Sequence, residues 1–237
     1  MAELVLLLTL GSPLVLVGRF NKKPQLGIVV WLLTFCSALV ALVAIVTLLV
    51  RAVIESYENL NAAPLGSYGW SEAFVVSFLP WMLLALAGIT LAQINQIVAP
   101  LLERARSTRA LIELAGARKR TIAGMDIVEL NVPAPFAAIA RVRAVPTVVI
   151  TKSAIDRLTS DELSAVIEHE RAHLRLRHLE AKAVANAALA LAPWLATSRL
   201  MRQEVERLCE LAADDLTLTR LSPDSLAQAR AKLTEAI

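Results

Sequence analysis

Cysteine and histidine are scarce in this sequence, with two and three residues in 237. Cys36 sits in an apolar run and Cys209 in a polar helical pattern. They do not read as a disulfide pair, which suits a reducing compartment. All three histidines fall within AVIEHERAHLRLRHLEAK, residues 165–182. Charge is missing over long stretches: Pro24–Val50 and Ala73–Leu102 contain no Asp, Glu, Lys or Arg. There is no internal repeat and no low-complexity linker, so nothing suggests an array of modules. The net charge of +3 and pI near 9.1 would otherwise suit a nucleic-acid binder. Here the basic residues flank apolar runs, so membrane topology accounts for them and nucleic acid is not expected as a partner.

What the chain has in excess is hydrophobicity, 57% of residues with a mean hydropathy of +0.59. The excess lies in the first hundred residues, whereas 103–182 carries most of the charge. Pro24–Val50 exceeds the roughly 20 residues that a bilayer crossing takes. Ala73–Leu102 is a second candidate, with Gln93, Asn95 and Gln96 near its far end, and Leu4–Gly18 is a shorter third. Glu3 stands where a signal peptide would carry basic residues, and GRFNKKP follows in place of a cleavage site, so a retained helix is expected. Arg19, Lys22 and Lys23 follow the first run, the 51–72 connection is acidic, and LLERARSTRALIELAGARKR carries six basic residues after the last. The positive-inside rule then places the N-terminus outside and everything after about residue 103 in the cytoplasm.

Residues 103–117 have a helical pattern, and the texture then changes. MDIVELNVPAPFAAIARVRAVPTVVIT is rich in Val and Ile and broken by Pro133, Pro135 and Pro146, which predicts short strands. Pro146 cannot donate to a ladder, so Thr147–Thr151 is expected to be an edge strand. Thr159 with Glu162 three residues later predicts a capping box and a helix running into the histidines.

His169-Glu170-Arg171-Ala172-His173 is H-E-x-x-H. On a helix, residues four apart share a face, so both imidazoles can reach one ion. Glu170 lies beside them, placed to take the proton of an attacking water. Zinc suits such a site because it accepts nitrogen and oxygen donors and keeps a position open. Three residues compete to be the third ligand. His178 is about 140° round a continuous helix from His173, so it is expected to point away, at a surface or interface. Cys209 is expected to be packed. Glu210 is the strongest candidate, with Asp214 one turn later on the same face to hold the free nitrogen of a ligand histidine. Arg202 is a weak candidate for stabilising an oxyanion.

At PFAAIARVRAVPTVVITKSAIDRLTSDELSAVIEHERAHLRLRH, followed by ELAAD, the chain resembles the gluzincin membrane peptidases. The 37-residue interval from His173 to Glu210 is compact and is most similar to the BlaR/MecR sensor-transducer group. The HtpX-like and CAAX prenyl protease-like peptidases come second. His178 is a departure, since the first group often carries an acidic residue there. The resemblance implies zinc ligands at His169, His173 and Glu210, a general base at Glu170 and a supporting carboxylate at Asp214. It also implies that Thr147, Val148, Val149, Ile150 and Thr151 pair with substrate backbone by β-augmentation.

The expectation is a mainly α membrane protein with about three transmembrane helices over 1–102. A small α+β zincin-like domain over 103–237 would hold a short sheet with an edge strand and the H-E-x-x-H helix. It would be a multi-pass zinc endopeptidase of the inner (cytoplasmic) membrane, meeting the lipid bilayer and a protein or peptide substrate. A homo-oligomer stays open. Its uses would be signal transduction or regulated proteolysis, or membrane-protein quality control. The alternative from another class is a catalytically silent membrane sensor or scaffold. The Ala183–Thr197 stretch is uncharged but lies between cytoplasmic ligands, so it should lie on the membrane, re-enter it, or pack on the spans.

Overall fold

The computed structural model describes residues 15–62, 74–75, 77–89, 92, 117–122, 124–142, 145–193 and 195–234. Helix α1 (Pro24–Ala62) is 39 residues long, or about 58 Å at 1.5 Å per residue. The most apolar 18-residue window within Pro24–Asn59 has a mean hydropathy of 2.7, and only 17% of it is buried. It is long and apolar enough to cross a bilayer, and it leaves Leu39, Val40, Leu42, Val43 and Leu48 exposed. Among the described residues it is the one such helix. The apolar helix α2 (Ser77–Ile89) is shorter than a full crossing. Most of the Leu4–Gly18 run, most of Ala73–Leu102 beyond α2, and the 103–116 stretch lie outside the described residues. Three transmembrane helices are therefore not shown. Residues 51–62 of the expected 51–72 connection are helical instead, because α1 continues to Ala62, with an exposed Arg51–Glu55 pair at 3.3 Å one turn apart.

The sheet is built from β1 (Arg118–Ile122), β2 (Met125–Leu130), β3 (Ala137–Val142) and β4 (Val145–Thr151), in the order β1-β2-β4-β3. β1 and β2 form an antiparallel hairpin turned at Gly124, whose φ of 70° suits glycine. β2 runs parallel to β4, and β3 is antiparallel to β4. This corrects the expectation that Thr147–Thr151 is an edge strand. β4 is paired on both sides, and Val148, Val149, Ile150 and Thr151 are buried. Pro146 is tolerated because pairing with β2 begins only at Val148, so the proline faces one neighbour instead of two. Thr151 is a structural hub: its Oγ1 accepts from Phe136 N at 3.0 Å and Ala154 N at 3.3 Å. Among the described residues the free edges belong to β1, whose exposed Arg118, Lys119 and Arg120 guard against further pairing, and to β3.

After β4 come α3 (Lys152–Arg157), α4 (Ser160–Arg175), α5 (His178–Leu191), α6 (Ala196–Leu218) and α7 (Pro223–Thr234). The capping box forms as expected: Thr159 N donates to Glu162 Oε2 at 2.8 Å and Glu162 N to Thr159 Oγ1 at 3.4 Å. α4 buries Ala165, Val166, Ile167 and Ala172, packing its apolar face between the sheet and α7. It stops at Leu176, and Arg177 takes a left-handed conformation (φ 54°) before α5 begins. α5, at about 21 Å, is too short to cross a bilayer. It packs on α1 instead, placing Ala181, Ala185 and Ala188 in one cluster with Ile28, Trp31 and the α6 residues Met201, Val205, Leu208 and Cys209.

Gly27 of α1 lies close against this cluster. A Cβ added there would lie 2.6 Å from Phe20 Cβ and 2.8 Å from Leu208 Cδ1. Neither neighbour can yield without moving its own packing, so Gly27→Ala should destabilise the protein by about 1–3 kcal/mol. A lowered melting temperature in detergent checks this. An unchanged one would mean that α1 and α6 do not pack this tightly.

Candidate metal centre

α4 sets His169 and His173 one turn apart with Nε2 atoms 3.2 Å from each other, both rings buried. α6 brings Glu210 against them: its Oε2 is 3.4 Å from His169 Nε2 and 3.5 Å from His173 Nε2. The three donor atoms lie within 4.8 Å of one another and could hold a metal ion. Their spacing tests the fit. Bonds of about 2.0–2.1 Å at tetrahedral angles separate donor atoms by about 3.3–3.4 Å, so these donors stand close to three corners of a zinc tetrahedron. Glu210 is 48% exposed, so the group is open to solvent on that side.

Each donor is held from behind. Asp214 Oδ1 lies 3.0 Å from His169 Nδ1, although the N–H does not point squarely at it. Arg230 of α7 grips Asp214 with both guanidinium NH groups, at 2.9 and 2.5 Å. Lys182 of α5 donates to Glu210 Oε1 at 2.9 Å, leaving Oε2 for the imidazoles. Glu168, turned the other way, draws Arg171 at 3.3 Å and Arg220 at 2.5 Å, tying α4 to the turn after α6.

The charges follow this geometry. Burial opposes a proton on His169, but the carboxylates of Asp214 and Glu210 outweigh it and hold the pKa up at about 9. His169 and His173 hold Glu210 far below the usual carboxylate range. Burial would raise Asp214, but His169 and Arg230 keep it low. Glu170 is raised by burial, and among the described residues it makes no hydrogen bond or ion pair. An uncommitted, basic-shifted carboxylate beside two imidazoles is suited to proton transfer.

The structure thus brings together His169, Glu170, His173, Glu210 and Asp214. It does not bring Thr147–Thr151 into pairing range of a substrate, for the reason given above. Cys209, one residue from Glu210, faces the α1 cluster, where burial pushes its thiol up to about 12. Arg202 is an exposed partner of Glu206 at 3.1 Å. His178 corrects the expectation of a surface residue: it is 2% exposed, and its Nδ1 lies 2.6 Å from His173 Nδ1. The continuous helix assumed for it ends at Arg175. Lys182 and Arg230 were not singled out in the sequence. Lys182 could have been found four residues after His178 on one helix face, whereas nothing near Arg230 signals its partner.

A metal can bind here only if His169 gives up its proton. Apparent metal affinity should therefore rise by about tenfold per pH unit up to about pH 9 through this group, then level off. Asp214→Asn removes a carboxylate that holds the proton, so the levelling should move to lower pH. Chelator competition from pH 6.5 to 9.5 reads both. A flat profile in the unmodified protein would contradict the arrangement.

Compared with known proteins, the chain matches the family model described as peptidase family M48 over residues 102–233. No curated protein matches it. The match covers more than half of the chain and includes both ligand-bearing helices, so this chain belongs to peptidase family M48, whose members are metal-dependent peptidases.

Proposed function

We propose that the chain is an integral-membrane zinc endopeptidase that cleaves protein substrates at a cytoplasm-facing site. The observation that carries this reading is the donor triangle of His169, His173 and Glu210, spaced for a tetrahedral ion. A zinc ion held there supplies Lewis-acid polarisation of the scissile carbonyl and acidifies water. Glu170 takes the proton of the attacking water and passes it to the departing amine as the C–N bond breaks. Asp214 and Lys182 keep His169 and Glu210 in register during turnover.

The substrate backbone is assigned to β3, the strand with a free edge beside α4. Its Ala137 and Ile139 share an apolar cluster with Leu163 and Leu174, the latter adjacent to His173. An extended peptide added there gains main-chain hydrogen bonds without displacing a strand. The basic residues after the apolar runs support a cytoplasmic peptidase domain over 103–237 and a membrane region over 1–102. The compact spacing from His173 to Glu210 favours regulated proteolysis of the sensor-transducer kind. Quality-control cleavage of membrane proteins, as in the HtpX-like group, is the second reading.

The test is zinc per chain and hydrolysis of an unfolded protein such as casein in detergent. The unmodified protein and Glu170→Gln should each hold about one zinc, with activity of the Gln variant down about 10²–10⁴-fold. Glu210→Ala should lose both metal and activity. An unmodified protein, purified without chelator, that neither holds zinc nor takes it up would sink the proposal.

A further inference from the structure

We infer that His178 is a positioning residue of the metal centre, a third histidine that fixes the ring and the tautomer of His173 through an Nδ1–Nδ1 hydrogen bond. The inference rests on the zinc-site reading above and adds a residue to it. His173 turns Nε2 toward His169 and Glu210, so its other ring nitrogen is the one that meets His178. At 2.6 Å two ring nitrogens must share one proton between them. A metal donor needs Nε2 bare, which leaves the proton of a neutral His173 on Nδ1, where it donates to His178 Nδ1. The proton of His178 is then on Nε2, a buried atom with no partner among the described residues. The fold thus tolerates an unsatisfied group at this position, which simple packing would not require.

The backbone makes the same point. His178 reaches His173 only because α4 breaks at Leu176 and Arg177 adopts a left-handed conformation, the one positive φ among the described non-glycine residues. Non-glycine residues enter that region at a cost, and such conformations cluster at functional sites. The turn starts α5 with His178 at its first position, and Lys182, one turn on, lands on Glu210. The start of α5 therefore serves two of the three donors, as Asp214 and Arg230 serve the other. Partners of this kind set ligand orientation and basicity, and losing one weakens metal binding by about 10–100-fold.

The experiment compares full-length His178→Leu and His178→Asn with the unmodified protein in detergent, reading zinc affinity by chelator competition and the melting temperature with and without zinc. His178→Leu should bind zinc about 10–100-fold more weakly, with undiminished stability in the zinc-free protein. His178→Asn, whose side-chain oxygen can take the place of Nδ1, should recover most of that affinity. Equal zinc affinity in the Leu variant overturns the inference alone. So does an Asn variant as weak as Leu, which would reduce His178 to packing. Failure of the unmodified protein to bind zinc overturns the zinc-site reading as well. If the variants do not fold, the unmodified zinc-loaded protein still decides. With only three histidines, ¹⁵N-histidine labelling resolves each ring, and His173 should carry its proton on Nδ1 and His178 on Nε2. A proton on His178 Nδ1 overturns the inference.

Discussion

The structure depends on holding one carboxylate, that of Glu210, against two imidazoles from a different helix. The histidine pair is local, since a single turn of α4 brings both rings together. Glu210 is 37 residues from His173, and only the packing of α6 beside α4 and α5 brings it within 3.5 Å. Bringing acids and imidazoles together out of water carries a desolvation cost, offset here by mutual pairing. Lys182 and Arg230 add positive charge at the far sides of Glu210 and Asp214, which keeps both carboxylates ionised and oriented. Glu170 alone is left without such a partner among the described residues, as the proton-transfer role proposed for it requires.

α6 links this centre to the apolar helix. Leu208 and Cys209 face the cluster around Ile28 and Trp31 of α1, while Glu210 and Asp214 face the histidines. Consecutive residues thus anchor the helix on one side and complete the donor set on the other. α1 and α6 come close at Gly27, where an added Cβ would lie 2.8 Å from Leu208 Cδ1. α5 is bound into the same arrangement, with its alanines in the α1 cluster and its first residue against His173 of the candidate metal centre.

Much of the site was legible because it follows helical periodicity. The capping box at Thr159, the His169–His173 pair and the Glu210–Asp214 pair each obey a three- or four-residue spacing that the chain carries locally. What was not legible depended on contacts between distant segments or on an unmarked break. Arg177 ends a helix without glycine or proline to announce it, so His178 reads as continuing α4 and pointing away. Pro146 correctly marks a strand position with one neighbour, but the parallel pairing of β2 with the rest of β4 cannot be inferred from a proline. β1 consists largely of the basic residues that also signal membrane topology, and that signal concealed a strand. The long apolar helix was plain from composition, but where it docks on α5 and α6 was not.

X-ray absorption at the zinc edge of the purified full-length protein tests the central claim most directly, because it counts the donor atoms themselves. The account requires two imidazoles and oxygen donors at about 2.0–2.1 Å and no sulfur. A sulfur scatterer at about 2.3 Å, which would bring in Cys209, or a third imidazole, which would make His178 a ligand, would contradict it.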